Sequence, residues 1–400
     1  MRIVRVILTT NYSPWSRYTG GTQRSTHYLA RALARDGHDV TVIYTKAHWE
    51  RIHPPAAVPY RLRWAEFAKL WSKHSAPVRF LTARSVARAV DRELARDSAE
   101  RTVVHANGEE GALVPFLRAR HDFRLVVTPR YPTLPSALVS GRTMSSFRKI
   151  DFAVRQSKYV MLRAALRGAD LCAPPSGYGA KLIRRAYGLS PTTIRIVHNG
   201  VPDEFLTYRW RPQAPENRPF LFFGRYTRSK GIDTLLAAFG RLQTNSPPLR
   251  LVGAGSERGW IEREIARRGL GSRVEVLGWA DHETLGRLLE SSSAVVLPSR
   301  EENFGLAVLA AMAVGTPLVA TDVGGTREGP QDGVHALLVR PDDVAGLEHA
   351  LRRLIADPDA AAERGTAAAE LVRREFTWAR AAAKFAQLYE GLFDPAAKNA

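Results

Sequence analysis

Three glycine-containing segments in the second half of the chain carry residue types suited to gripping a phosphorylated ligand. The first is Phe223-Gly224-Arg225-Tyr226-Thr227-Arg228-Ser229-Lys230-Gly231. Gly224 lets backbone approach a ligand closely, while Arg225 offers a planar fork of donors and Lys230 a compact point charge, a combination suited to a diphosphate. The same residues would also serve as an ordinary solvated loop between strand and helix. The second segment, Leu251-Val252-Gly253-Ala254-Gly255-Ser256, is a weaker signal, because a tight turn after a strand requires glycine with or without a ligand. The third, Pro298-Ser299-Arg300-Glu301-Glu302-Asn303-Phe304-Gly305-Leu306, runs straight into an apolar stretch. A helix starting there aims the N–H groups of Phe304, Gly305 and Leu306 outward as an anion site. Glu302, just ahead of it, either hydrogen-bonds ligand hydroxyls or caps the helix, where the dipole favours a carboxylate. The first half is sparser: His105 ends one apolar run and Arg130 follows another, and each is either ligand-facing or structural.

These residues can act together only if the chain brings strand ends side by side. In the first half, Ile3–Thr9 reads as a strand, 11–21 as a polar glycine-containing loop, Thr22–Asp36 as a helix stopped by Gly37, and Val40–Tyr44 as the next strand. Further strands are expected at Thr102–Ala106, Leu125–Thr128, Asp170–Ala173 and Ile194–Val197. Pro212, Pro215 and Pro219 interrupt the pattern. It then restarts, with strands at 220–223, 249–252, 274–277, 294–297 and 317–321, helices between them, and a helical alanine-rich tail from about 342 to 392. Strand and helix alternating at this spacing imply parallel sheets with right-handed crossovers. The expected fold class is α/β, two Rossmann-like doubly wound domains facing a cleft. Their bounds are read as 1–203 and 204–378, with 379–400 a helix packing back on the first domain. In such sheets ligands sit at the carboxyl ends of strands, where all three loops fall.

Length and charge agree with two domains and add an asymmetry. Four hundred residues exceed what one compact core usually holds. Residues 1–200 carry 33 Lys and Arg against 13 Asp and Glu, and residues 201–400 carry 25 against 26, so the net charge of +19 originates in the first half. Arg84, Arg88, Arg92 and Arg96 recur every fourth residue, which on a helix makes a basic stripe, with Leu81, Val86, Val90 and Leu94 left to pack. The stripe reads as a solvated face, or as a surface for anionic lipid headgroups or a phosphate-bearing acceptor. Nucleic acid is disfavoured, because aromatic residues do not alternate with the basic ones as base stacking requires. No apolar run is long enough to span a bilayer, and the first residues lack the apolar stretch of a signal peptide. The single Cys172 precludes an internal disulfide. A cytoplasmic protein is expected, with the inner face of the membrane as the place where a basic stripe would act. No cluster has metal-ligand spacing, so no metal and no cofactor are expected.

Taken in order, the motifs resemble the glycogen-synthase-like retaining glycosyltransferases of the GT-B fold, the family-four type. The resemblance rests on Phe-Gly-Arg…Lys-Gly at 223–231, Val-Gly-Ala-Gly-Ser at 252–256, Leu-Pro-Ser-x-x-Glu-x-Phe-Gly at 297–305 and Ala-Met-Ala-x-Gly-Thr-Pro-Leu-Val-Ala at 311–320. Val323-Gly324-Gly325, Glu328 and Asp332-Gly333 follow. More loosely, it extends to Asn11-Tyr12-Ser13-Pro14 with Gly20-Gly21, Val104-His105-Ala106 and His198-Asn199-Gly200-Val201. It covers nearly the whole chain and is weakest over 46–100 and 130–165. The resemblance implies an enzyme of hexosyltransferase type that moves a sugar from a nucleotide-diphosphate sugar to an acceptor hydroxyl. It implies retention of configuration, no metal, and a place in bacterial glycoconjugate, polysaccharide or natural-product biosynthesis. By this analogy Arg225 and Lys230 neutralise the departing diphosphate and the amides of Phe304, Gly305 and Leu306 hold it. Glu302 contacts donor hydroxyls, Gly20 and Gly21 close a loop over phosphate, Gly224, Gly253 and Asn303 line the donor, and His105 is a polar catalytic candidate. Arg130, Tyr131 and Asn199 are acceptor-side candidates, for an acceptor that is anionic, lipid-linked or a small molecule.

Two positions depart from the family pattern. Its second glutamate, eight residues after the first, is here Ala310, which cannot hold ribose hydroxyls; losing such a charged hydrogen bond costs about 1.5–3 kcal/mol. Where the family often has a histidine facing the transferred sugar, this chain has Pro129-Arg130-Tyr131, and an arginine binds an anionic group more readily than it accepts a proton. An altered donor mode, an engineered substitution at Ala310, or a relative that binds without catalysis would each account for the first departure. A sugar-nucleotide epimerase of the same fold is a further alternative, separable by whether product forms without acceptor.

Overall fold

The structure is a computed structural model that describes residues 3–16, 20–67, 76–96, 101–130, 146–211 and 218–394. The chain divides into two compact units, Met1–His198 with Trp378–Ala400, and Asn199–Thr377. The sequence placed the breaks a few residues later, at 203/204 and 378/379. The difference arises because Val201 already belongs to the second unit, its N–H donating to Phe376 O at 2.8 Å.

In the first unit the elements run β1 (Arg5–Thr10), α1 (Gly21–Arg35), β2 (Asp39–Ala47), β3 (Arg61–Phe67), α2 (Ala76–Arg96), β4 (Thr102–Ala106), β5 (Arg124–Val127), α3 (Ser146–Arg167), β6 (Leu171–Cys172) and α4 (Gly177–Tyr187). The strands form one parallel sheet in the order β3-β2-β1-β4-β5-β6. Strand residues alternate between two cores, as a period of two requires. Val6 and Leu8 face the layer containing Leu29 and Leu33 of α1, whereas Ile7 faces Val86 and Val90 of α2 and Leu162 of α3. Two expectations are corrected here. Ile194–Val197 is no strand but a single bridge, Cys172 to Ile194. An unexpected edge strand, β3, appears where charged residues break the hydrophobic run; it is tied down by Arg61 to Asp39 and Arg63 to Glu93.

The second unit repeats the plan: β7 (Phe220–Phe223), α5 (Ile232–Phe239), β8 (Leu249–Val252), α6 (Arg258–Arg267), β9 (Val274–Leu277), α7 (His282–Ser291), β10 (Ala294–Leu297), α8 (Leu306–Val314), β11 (Leu318–Thr321), β12 (Leu337–Val339), α9 (Val344–Ala356) and α10 (Pro358–Glu375). Its parallel order, β12-β11-β10-β7-β8-β9, is the first sheet's order again. Every residue of β7 and β10 is buried, which is why these strands read as unbroken apolar runs. The expected single helical tail is three helices. Pro358, which cannot continue a helix but can begin one, separates α9 from α10. The last helix, α11 (Trp378–Gly391), packs on α1 in the first unit through Trp378, Phe385 and Tyr389.

Candidate active site

In the second sheet the strand order reverses between β7 and β10, which pair directly, and ligands of doubly wound sheets gather outside the carboxyl ends at such a point. The loops leaving these two strands are the Arg225–Lys230 loop and the Pro298–Gly305 loop. Two glycines allow the second loop to be gripped from both sides. A Cβ on Gly231 would fall 1.9 Å from Pro298 O, and one on Gly325 would fall 1.9 Å from Asn303 O. Hydrogen bonds fix the same contacts, from Arg300 N–H to Ser229 O at 2.8 Å and from Gly325 N–H to Glu302 O at 3.0 Å. The Gly253 loop braces the first: a Cβ there would meet Gly224 O at 1.9 Å, so steric need alone accounts for that glycine.

At the centre, Lys230 Nζ and Glu302 Oε1 form an ion pair, with each side chain 18% exposed. Ser299 Oγ donates to the same carboxylate oxygen at 3.4 Å. Glu302 therefore does not cap the helix. The N-cap of α8 is Gly305 at φ 60°, with no side chain to offer. The helix starts one residue later than the sequence suggested, its first intrahelical bond running from Leu309 N–H to Gly305 O, so the amides that helical geometry leaves without an intrahelical acceptor are those of Gly305, Leu306, Ala307 and Val308. Phe304 belongs to the core, its ring 5.9 Å from that of Phe376; Asn303 is half-buried beside it. Arg225 is exposed and makes no ion pair among the described residues. The sequence missed Arg300, which positions the loop: it pairs with Asp233 at 2.6 Å and Asp342 at 2.7 Å and donates to Arg228 O. The hydrogen bond to Asp233, opposed by burial and aided by Asp342, raises its pKa above the ordinary arginine value. Ala310 is buried within α8 at 5% exposure.

The first sheet reverses between β1 and β4, and there the first unit holds a cavity of about 290 Å³. Its lining comes from the carboxyl ends of β1, β4 and β5, the start of α1, and α2 and α3, and includes Asn11, Arg79, Asn107, Glu110, Arg130 and Lys158. Glu110 is 3% exposed. Its Oε1 accepts from Asn107 N–H at 2.9 Å and Thr9 Oγ1 at 3.4 Å, and Asn11 Nδ2 lies 3.5 Å from Oε2. Burial, then the charge of Glu109, pushes its carboxyl up to about 8, so it is protonated at neutral pH. A protonated Oε2 needs an acceptor, and Asn11 Oδ1 is a buried oxygen with no partner among the described residues. Turning the Asn11 amide over supplies that acceptor. Arg130 Nε donates to Asn107 Oδ1 at 3.0 Å, and Asn107 Nδ2 donates to Thr9 O at 3.1 Å; burial lowers the guanidinium to about 10, which leaves it charged.

His105 is corrected as a catalytic candidate. It is 0% exposed. Thr128 Oγ1 gives its proton to Ala173 O at 2.9 Å, so it accepts from His105 Nε2 at 2.7 Å, leaving Nδ1 to accept from Tyr389 OH at 2.6 Å. Both ring nitrogens are spent. Burial, then the charge of Arg130, lowers the ring to about 3, and the neutral imidazole ties α11 to the sheet. Gly20 caps α1, its N–H donating to Gln23 Oε1 at 3.0 Å; Gly21 begins the helix. Asn199, 6% exposed, opens the second unit. Tyr131 lies outside the described residues. Glu110 and Asn107 were missed by sequence reasoning, although a polar Asn107-Gly108-Glu109-Glu110 turn directly after a strand was the available signal. Among the described residues no group of three or more His, Cys, Asp or Glu could hold a metal ion, and no helix is long and apolar enough to cross a membrane.

Two repeated sheets of this order, with diphosphate-suited loops at a switch point, define a GT-B glycosyltransferase. Comparison with known proteins agrees: the family described as Glycosyltransferase Family 4 matches residues 19–205, and that described as Glycosyl transferases group 1 matches residues 205–371. The chain belongs to the family-four type of glycosyltransferases and is an enzyme of that class. It is 28% identical over 396 residues to a glycogen synthase from Mycobacterium tuberculosis, covering 92% of this chain and 91% of that one. Among solved structures, it is similar to a sucrose-phosphate synthase from Thermosynechococcus elongatus, with TM-score 0.78, 25% identity, and 97% and 99% of the two chains covered. HepE from Anabaena, solved in complex with UDP and glucose, shares the fold at TM-score 0.74 and 18% identity, over 97% and 99% of the two chains.

Proposed function

We propose that this enzyme transfers a sugar from a nucleoside-diphosphate sugar to an acceptor hydroxyl with retention and without a metal. The observation that carries the reading is the set of cations and amides at the second switch point: Arg225, Lys230 beside Glu302, and the side-chain-free start of α8. Negative charge on the diphosphate grows as the glycosidic bond breaks, and preorganised donors aimed at that charge act most strongly in the transition state. Lys230 exchanges its Glu302 partner for the diphosphate, with Arg225 closing from the solvent side. Glu302, released from the lysine, then accepts hydrogen bonds from donor hydroxyls. Arg300 moves no charge itself; it holds the loop in place through Asp233 and Asp342. Ala310 offers no polar atom, so ribose is held elsewhere. UDP bound to HepE supports a nucleotide donor, and the glycogen synthase and sucrose-phosphate synthase relatives support transfer to a sugar-like acceptor. Polysaccharide, glycoconjugate or natural-product biosynthesis on the cytoplasmic side fits such chemistry. Arg84, Arg88, Arg92 and Arg96 are all exposed on α2 while Val86, Val90 and Leu94 are buried, which supports a peripheral contact with anionic lipid.

The test is thermal-shift screening against UDP, GDP, ADP and TDP sugars, since a ligand at 100 times its Kd stabilises by about 2.7 kcal/mol. NMR of the product anomer then follows. The double variant Arg225→Ala/Lys230→Ala is expected to lose both the shift and turnover. Unchanged turnover in that variant, or an inverted anomer, overturns the reading.

A further inference from the structure

The turn after β4 drives a carboxyl group inward where the first sheet reverses. A Cβ on Gly111 would fall 2.4 Å from Ala106 Cβ, so this glycine lets the turn Glu109–Gly111 curl back onto the strand. Glu110, 3% exposed, is thereby set against the end of β1. Two arms of hydrogen bonds leave its carboxyl group. Oε1 takes the N–H of Asn107 at 2.9 Å. Asn107 in turn donates to Thr9 O at 3.1 Å and accepts from Arg130 Nε at 3.0 Å. Oε2 meets the side-chain amide of Asn11. Asn11 O accepts from Gln23 Nε2 at 2.5 Å, and Gln23 Oε1 accepts from Gly20 N–H at 3.0 Å, at the start of α1. One side chain therefore links Asn11, Gln23 and Arg130, all of which line the cavity.

The bonding itself asks for a neutral acid. Asn11 Oδ1 is buried and has no partner among the described residues unless the amide turns and a protonated Oε2 donates to it. The groups around Glu110 do not demand its charge. Glu109 of the same turn is paired with Arg79 of α2, Nη1 donating to Oε1 at 2.5 Å. Arg130 after β5, Lys158 of α3 and Tyr12 beyond β1 line the same cavity. His105 of β4 and Tyr389 of α11 are bonded to each other and uncharged. Ionisation, at about 8, takes away the donor to Asn11 and leaves a buried charge, which draws water or a neighbouring cation toward it. Either response disturbs the bonds that Asn11 and Asn107 make.

Resting on the transferase reading above, we propose that Glu110 is a positioning residue that works as the neutral acid. Its one carboxyl group holds the segment leaving β1 through Asn11, and Arg130 through Asn107. Loss of the proton releases both arms and switches off the first unit's part in the reaction. Glu110 touches no reacting atom; it sets the groups that surround the switch point of the first sheet, where ligands of such sheets gather.

Hydrogen exchange read by mass spectrometry on the full chain tests the clamp, and turnover tests its consequence. Rates are corrected for the intrinsic pH dependence of amide exchange. Peptides covering 9–16 and 104–111 should then lose protection in the wild type between pH 7 and 9. They should keep it in Glu110→Gln, whose amide bonds as the protonated acid does, and a peptide covering 299–306 should change in neither protein. Release of nucleoside diphosphate is followed from whichever of UDP-, GDP-, ADP- or TDP-glucose gives the largest thermal shift. Wild-type kcat/KM should fall about ten-fold per pH unit above 8, and Glu110→Gln should remove that alkaline limb. Exchange that changes alike in the two proteins, or throughout the chain, overturns the proposal. So does a wild-type profile without an alkaline limb, or a limb that Glu110→Gln leaves in place; in each case the donor reading stands. If exchange separates the two proteins but no nucleotide sugar is bound or turned over, the clamp is upheld and the transferase reading falls instead.

Discussion

Replacing Glu110 by glutamine keeps the shape and the hydrogen bonds of the protonated carboxyl and removes only its ability to ionise. Gln Oε1 takes the Asn107 and Thr9 donors, and Gln Nε2 faces Asn11. The carboxyl titrates near 8 in the folded chain against an ordinary 4.5. Below pH 4.5 both folded and unfolded chains carry the proton and Glu110 takes nothing from stability. Between 4.5 and 8 the unfolded chain ionises and the folded one does not, so stability falls by about 1.4 kcal/mol per pH unit. Above 8 the loss is constant. From pH 5.5 to 7.5 the wild type should therefore lose about 3 kcal/mol relative to Glu110→Gln. At about 2–4 °C per kcal/mol for a unit of this size, the Tm of the variant should gain roughly 6–12 °C on wild type over that interval. Differential scanning calorimetry of the pair at half-unit pH steps reads the difference directly, and titrations common to both chains, His105 included, cancel. A Tm difference that stays flat from pH 5 to 8, or that shrinks as pH rises, would show that Glu110 is ionised in the fold and would refute the reasoning.

Four further outcomes follow from the geometry. Tyr389→Phe leaves the buried Nδ1 of His105 without a donor and should cost about 1–3 kcal/mol in denaturant unfolding, with kcat unchanged in the folded protein. Because His105 is held near 3, below its ordinary 6.5, its contribution is complete above pH 6.5 and is lost as pH falls toward 3; a His105→Asn variant should show a shallower acid limb in a Tm-against-pH profile. Ala310→Glu introduces a carboxylate into a helix position that is 5% exposed and should lower Tm without raising turnover on any nucleotide sugar; recovered turnover would instead mark Ala310 as a disabling substitution. Replacing Arg84, Arg88 and Arg92 by glutamine should abolish co-sedimentation with vesicles rich in anionic lipid and leave soluble-acceptor turnover intact. Sedimentation indifferent to lipid charge removes the membrane contact.

The second unit was far more legible than the first because its chemistry is contiguous in sequence. The Arg225–Lys230 and Pro298–Gly305 loops each announce themselves by glycine, charge and a following helix, and two apolar strands carry them to neighbouring positions. What could not be read was the pairing of Lys230 with Glu302, seventy-two residues apart, or the bracing by Arg300, since nothing local separates a bracing arginine from a solvated one. In the first unit the cavity collects its lining from the ends of three strands and parts of three helices, so no window of sequence contains it. His105 misled for a related reason. Its strand position matched a ligand-facing residue, while the group that claims it, Tyr389, comes from the far end of the chain. The edge strand β3 was hidden by the arginines that flank its core positions.

The first unit is assembled from both extremities of the polypeptide, with the second unit threaded between them. During synthesis the later Rossmann domain, continuous from Asn199 to Thr377, can finish folding while the earlier one still exposes the apolar surface of α1 and the ring of His105. Only when α11 emerges is that surface sealed. A nascent chain stopped short of Trp378 leaves uncovered the core positions that Trp378, Phe385 and Tyr389 fill, so the first unit can complete its folding only after the second has been made.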